Sequence, residues 1–335
     1  MNSYLLYHPD IPEFVLDYVK TLPMQRLRSI GMNCGCEYTS FPMFKNLNQY
    51  SRLDHSVGTA AVIWHFTFSK VQTLSGLFHD IATPVFAHVI DFLYGDYLKQ
   101  ETTERKTYDM ISESEELQSF LLRDGIRNED VCDYHMYCIA DNQMPRLSAD
   151  RLEYTFGNCL NFGICTEKTL KTIYEDLIVG KTFEDETELM FQTPETALLF
   201  AKSALRCSEI YVSDEDRYSM KILSEMIQNA MIQKVLDERD LYTTENEVIM
   251  KICSHPETIR DWEHFRSLHA VCRSSFSEVA AGGRIVFAKK RFIDPYVLGR
   301  GRVSHLFPDF AKDLNDFVSA KQDYRIYEVC NDEKE

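Results

Sequence analysis

Apolar residues recur at helical spacing through most of this chain. In the first segment Pro12 can open a helical turn, and Phe14, Val15, Tyr18, Val19 and Leu22 follow on one face. A second short helix is predicted from Met24 to Met32 and a loop from Cys36 to Tyr50, with the arginines Arg26 and Arg28 on a solvated face or in salt bridges. His55 to Ser69 reads as a helix with Val57, Ala60, Ala61, Trp64 and Phe68 on its apolar side. Val71 to Ala82 reads as the next, and Pro84 opens another that runs through Leu93. Residues 95–135 are polar and predict solvated helices and a loop. Ser148 to Phe156 is a helix on which Asp150 and Tyr154, four apart, share a face. Two long core helices follow between Pro194 and Leu236, then further helices over 244–274. His264 and His269 are five apart and do not share a face.

Around Gly282-Gly283 the period changes. Arg284 to Ile293 reads as a strand, Pro308 to Val318 as a helix and Tyr324 to Val329 as a last strand. The predicted fold is mostly α with a small C-terminal α+β appendage. The predicted division is residues 1–240 as one helical domain and 241–335 as a C-terminal helical and α+β region.

Composition narrows the function. A net charge of −16 argues against coating nucleic acid, which needs a basic stripe. Ten cysteines include no C-x-x-C pair, and Cys34-Gly35-Cys36 stands too isolated to read as a zinc site. The start M-N-S-Y-L-L-Y-H-P-D lacks the basic and apolar regions of a secretory signal. No run reaches the ~20 apolar residues of a bilayer span. The expectation is a cytoplasmic chain with reduced thiols, no membrane partner and a small-molecule ligand; a homo-oligomer stays open.

The candidate chemistry lies between Ser51 and Asp91. His55 sits near the start of an apolar, small-residue segment, and the adjacent pair His79-Asp80 ends a similar one. Neighbours on a helix point about 100° apart, so an adjacent His and Asp can lean toward one point beside it. A His on a neighbouring helix can reach that point too. Imidazole and carboxylate together suit a divalent Mn, Fe, Ni, Zn or Mg ion with open water positions. Asp150, in P-R-L-S-A-D-R-L-E-Y, offers a fourth ligand.

At these residues the chain resembles the HD superfamily of metal-dependent phosphohydrolases, whose H…HD…D pattern falls on His55, His79, Asp80 and Asp150. The branch it resembles is the deoxynucleoside triphosphate triphosphohydrolases. That branch carries Q-R-L-R-x-I, matched by Gln25 to Ile30, and R-x-x-H-S-x-G, matched by Arg52 to Gly58. It also carries a pattern matched from His79 to Asp91, and D-(K/R)-x-(D/E)-Y, matched by Asp150 to Tyr154. The resemblance runs from Pro23 to Asn158 and more loosely to Leu236.

It implies an HD-domain helical bundle, a divalent ion and a phosphate-ester substrate, in the first place a nucleotide. It implies phosphate contacts from Arg52 and Arg151, sugar packing by Tyr154, and two looser phosphate contacts from Arg206 and Arg217. Asp91 orients a water or a partner group, and His88 belongs beside it or serves structure. The sequence also departs from the branch. Thr83 stands where a catalytic His is usual, Thr103 where a proton-donating His is usual, and Asn158 where an Asp bonds the sugar. Met32 or Asn33 stands near the usual base-reading Gln. The rival readings are a 5′-nucleotidase or phosphodiesterase of the same superfamily, and a non-catalytic nucleotide-binding regulatory module that kept its metal.

Overall fold

A computed structural model describes residues 11–95, 106–274 and 283–329. Among these residues it has fifteen α-helices and two small sheets, so the fold is mostly α with a small C-terminal α+β part. The helix Arg52–Thr67 lies at the centre. Leu53, Val57 and Ala60 face one core cluster with Tyr18, Leu77 and Phe78; Ala61, Val62 and Ile63 face another with Phe156, Phe191 and Phe200. A helix buried on two sides needs small residues where its neighbours close in. Gly76 of the next helix packs against Ile63 so closely that a Cβ there would lie 2.1 Å from the Ile63 Cδ1.

Several element ends differ from the sequence prediction. Phe68 adopts a left-handed conformation (φ 49°) that ends the central helix, and its side chain is exposed rather than on the apolar face. The next helix spans Lys70–Phe78 and stops before the His79-Asp80 pair. No helix opens at Pro84. Proline disfavours the helical conformation of the residue before it, and Phe86 and Ala87 both have positive φ (58° and 46°). The chain therefore runs through turns, and the helix begins only at Val89. Arg26 is used differently from the expectation of a solvated or ion-paired side chain. Its Nη2 donates to the carbonyls of Ile81 (2.9 Å) and Thr83 (2.7 Å) and so secures this turn.

The C-terminal strand prediction is shortened as well. Only Arg284–Ile285 pairs, beside Arg325–Glu328, which also pairs with Val271–Ser274. A hairpin that the sequence reading does not foresee, Leu177–Lys181 with Thr187–Phe191, belongs to the other sheet. There Phe191 pairs with Val297. Ile293, Val297, Val303 and Phe310 join the same core cluster as the central helix. Thr103 lies outside the described residues.

Candidate functional site

Two capped helix starts aim the first ligands. Ser51 and Asp54 form a reciprocal cap, Ser51 N donating to Asp54 Oδ2 (3.0 Å) and Asp54 N to Ser51 Oγ (3.2 Å). Arg52 and His55 then follow one turn apart on the inner face. Ser148 caps the helix Ala149–Asn161 by accepting from Arg151 N (3.3 Å), which sets Asp150 in its first turn. The third contribution comes from the end of Lys70–Phe78. There the helix unwinds, and His79 Nδ1 donates to the Gly76 carbonyl (2.6 Å).

These elements bring His55, His79, Asp80 and Asp150 together. Ligand atoms of His55, His79 and Asp80 all lie within 4.8 Å of one another. His55 Nε2 is 3.1 Å from His79 Nε2, 3.0 Å from Asp150 Oδ1 and 3.9 Å from Asp80 Oδ2. His79 Nε2 is 3.6 Å from a carboxylate oxygen of each aspartate. All four are largely buried.

The hydrogen bonds behind the cluster decide what it can hold. Glu153, one helical turn after Asp150, accepts from His55 Nδ1 and from the Tyr50 hydroxyl (2.5 Å). With both Nδ1 atoms occupied as donors, the two Nε2 positions turn toward each other and toward two carboxylates, and as neutral rings they would present lone pairs there. A convergence of acceptors in a buried place requires a cation. Even without a metal the same demand shows: burial opposes charge on His55, yet Glu153 and Asp150 outweigh it and push the imidazole up to about 10. Burial likewise opposes charge on Asp150, but His55 holds its carboxyl down at about 2. The donor set fits a divalent ion bound by nitrogen and oxygen.

Around the cluster is a cavity of about 610 Å³. Arg52, Arg151, Tyr154, His88 and Asn158 line it. Arg52 Nη1 donates to Asp80 Oδ2 (2.9 Å), and Thr83 Oγ1 to Asp80 Oδ1 (2.7 Å). Arg151 donates to the Asn142 side chain (2.6 Å) and the Arg146 carbonyl (3.0 Å), holding the loop before its helix. Asn158 Nδ2 donates to the Tyr211 hydroxyl (2.7 Å). Asp91 is fully buried behind His88 and takes a hydrogen bond from its Nδ1 (2.9 Å). Burial and the nearby Arg291 lower the His88 imidazole below its ordinary value, against the pull of Asp91.

The remaining two arginines lie elsewhere. Arg206 is exposed and lines a separate surface depression with Lys202 and Lys321. Arg217 is fully buried and spends its guanidinium on Asp214, the Tyr324 hydroxyl and the Val286 carbonyl. Neither lines the cavity of the cluster. The sequence reading gave no role to Glu153, although it sits inside the D-(K/R)-x-(D/E)-Y match, nor to Lys289 and Arg291, which also line the cavity.

No protein-family model matches the chain. The metal-dependent phosphohydrolase cns2 of Cordyceps militaris is 20% identical over 329 residues, covering 93% of this chain and 89% of its own length. The uncharacterized protein YdhJ of Bacillus subtilis is 23% identical over 236 residues, 70% of this chain and 69% of its own. A crystal structure of a hypothetical protein from Aquifex aeolicus matches with a TM-score of 0.62 at 17% identity, over 95% of this chain and 93% of that one. The chain shares that protein's fold and is a distant relative of a named metal-dependent phosphohydrolase. Among the described residues no helix is long and apolar enough to cross a membrane.

Proposed function

We propose that the chain is an HD-type metal-dependent phosphohydrolase acting on a phosphate ester, with a nucleotide as the first candidate. The observation that carries this is the facing pair of imidazole Nε2 atoms, 3.1 Å apart, with Asp80 and Asp150 beside them. His55, His79, Asp80 and Asp150 would hold the ion. When bound, a divalent ion acidifies water and neutralises phosphoryl charge.

The residues of the chain have separate tasks in this reading. Glu153 and the Gly76 carbonyl fix the two ring orientations. Arg52 and Thr83 fix Asp80. His88 lines the cavity with Asp91 bonded at Nδ1 and Arg291 Nη2 3.4 Å from Nε2, so Asp91 orients the ring and keeps Nε2 an acceptor on the Arg291 side. Tyr154 and Tyr211, with ring centroids 6.2 Å apart, offer flat surfaces to a sugar or base.

Thr83 favours a second reading, a ligand-binding module that retained its metal. It is 1% exposed and its hydroxyl serves Asp80, so it offers no proton to a leaving group. Elemental analysis of the purified protein, followed by a panel of nucleoside mono-, di- and triphosphates and cyclic diesters, separates the readings. Bound metal with release of orthophosphate, tripolyphosphate or an opened diester supports the enzyme and names its class. Bound metal with an inert panel supports the module. Metal-free protein that takes up no ion overturns both.

A further inference from the structure

The cations that the resemblance assigns to phosphate either bond within the cavity wall or lie outside the cavity. Arg52 is bonded to Asp80 and Arg151 to the loop 141–146, while Arg206 and Arg217 do not line the cavity. The cavity wall also carries four carboxylates: Asp80, Asp141, Asp150 and Asp216. With a net charge of −16, the chain as a whole gives an anion no attraction. Every cation that lines the cavity therefore counts toward holding a phosphate group.

Two further basic side chains line the cavity, both from the C-terminal region and both with contacts of their own inside the protein: Lys289 and Arg291. Arg291 Nη2 is 3.4 Å from His88 Nε2, on the cavity side of the His88–Asp91 pair. The segment that carries them has no helix or strand, yet it is tied down repeatedly. Ala288 N donates to the Gln322 side chain (2.9 Å), and Asp294 N to the Pro145 carbonyl (2.9 Å). The second of these bonds joins the segment to the loop that precedes Asp150. The Val286 carbonyl accepts from buried Arg217, and Ile293 is buried in the core. Lys290 turns away from the cavity, donating from Nζ to the carbonyls of Phe317 (2.8 Å) and Val318 (2.8 Å) at the end of the helix Pro308–Ser319. Its neighbours on either side, Lys289 and Arg291, line the cavity.

We infer that Lys289 and Arg291 are the substrate-phosphate contacts of this site, so that the C-terminal region completes a pocket whose proposed metal ligands all come from the first half of the chain. The inference rests on the phosphohydrolase reading and deepens it. Arg291 can present two parallel N–H groups to a phosphate, and Lys289 a point charge. Arg217, which the resemblance assigns to phosphate directly, acts at one remove by holding the Val286 carbonyl of the same segment.

The test uses the full-length, metal-loaded protein and inorganic phosphate as the calorimetric probe, with p-nitrophenyl phosphate and the nucleotide panel as substrates. The Lys289→Ala/Arg291→Ala double variant is expected to bind inorganic phosphate at least tenfold more weakly, with metal content and melting temperature unchanged. Arg206→Ala is expected to bind like wild type. If the double variant melts early, the single variants Lys289→Met and Arg291→Gln decide: each is expected to weaken phosphate binding several-fold, and wild-type binding by both overturns the inference. A double variant that binds and hydrolyses like a wild type active on the panel overturns this inference alone. A metal-loaded wild type that binds no phosphate and hydrolyses nothing overturns the phosphohydrolase reading, and this inference with it.

Discussion

Glu153 holds His55 from behind: its carboxylate accepts the His55 Nδ1 proton and leaves Nε2 facing His79. Glu153 is itself fully buried and braced by the Tyr50 hydroxyl. Partners behind a ligating imidazole typically change metal affinity 10–100-fold when removed. Glu153→Gln is expected to weaken metal binding by that order while the protein stays folded. Titration of the metal-free variant with Mn, Zn and Ni checks it; wild-type affinity for all three would show that Glu153 serves packing alone.

Gly58 makes room for this brace. A Cβ at position 58 would lie 2.5 Å from Glu153 Oε1 and 2.6 Å from its Cγ. Gly58→Ala is therefore expected to cost about 1–3 kcal/mol of stability by overpacking and to lower metal affinity by displacing Glu153. Chemical denaturation and metal titration measure the two effects separately.

Asp80→Ala is expected to lose both the ion and all hydrolysis, and it also leaves the buried Arg52 guanidinium without its carboxylate. Asp80→Asn keeps the shape and loses the charge. Full metal occupancy in both variants, read by elemental analysis, would remove Asp80 from the ligand set.

Thr83 and Asp80 make a smaller version of the same test. The Thr83 hydroxyl donates to Asp80 Oδ1 at 2.7 Å, and hydrogen bonds to charged groups contribute about 1.5–3 kcal/mol. Thr83→Val, close in shape, is expected to reduce turnover about tenfold or more with a smaller loss of metal. Thr83→His, which would restore the residue usual in the resembling branch, is expected to destabilise the protein, because Thr83 is 1% exposed and the added ring has no space. Kinetics at fixed metal content and thermal melts distinguish these outcomes.

Away from the cluster, Glu37 predicts a dependence of stability on pH. It is held in a buried setting beside Glu245, with Tyr38 donating to Glu245 (2.7 Å) and Arg52 the nearby cation. Burial, reinforced by Glu245, pushes the Glu37 carboxyl up to about 8. The folded state thus keeps a proton that the unfolded chain gives up near the ordinary carboxylate value. Between those two values the unfolded state binds fewer protons, so stability falls as pH rises. Glu37→Gln, neutral throughout, is expected to flatten that fall between about pH 5 and 8 in denaturant midpoints. An unchanged slope would assign the proton elsewhere.

The proposed ligand quartet is legible in the sequence because His55, His79, Asp80 and Asp150 fall on the H…HD…D pattern of the resembling superfamily. Ser51 and Ser148 announce the two helix starts that carry His55 and Asp150. The end of the helix at Phe78 is not readable, since apolar spacing continues through Ile81 and Ala82; the backbone turns there because Arg26, far back in the chain, binds the Ile81 and Thr83 carbonyls. Glu153 is visible as a residue but not as a brace, because its role depends on facing Gly58 across two helices. Arg217 has the spacing of a solvent-facing or ligand-facing arginine, and only tertiary packing encloses it. Lys289 and Arg291 sit in a mixed basic and apolar run that reads as a strand; backbone N–H groups of that run bond instead to Gln322 and Pro145, which no local pattern announces.

The distance in sequence between the proposed metal ligands and the cavity-lining Lys289 and Arg291 has a consequence for how the protein is made. A ribosome delivers His55, His79, Asp80 and Asp150 long before Lys289 and Arg291. The growing chain thus carries its full set of proposed metal donors while the wall that would receive phosphate has yet to be synthesised. In the proposed reading, metal capture and substrate capture would be separate stages in the birth of the molecule, joined only once Lys289 and Arg291 are in place.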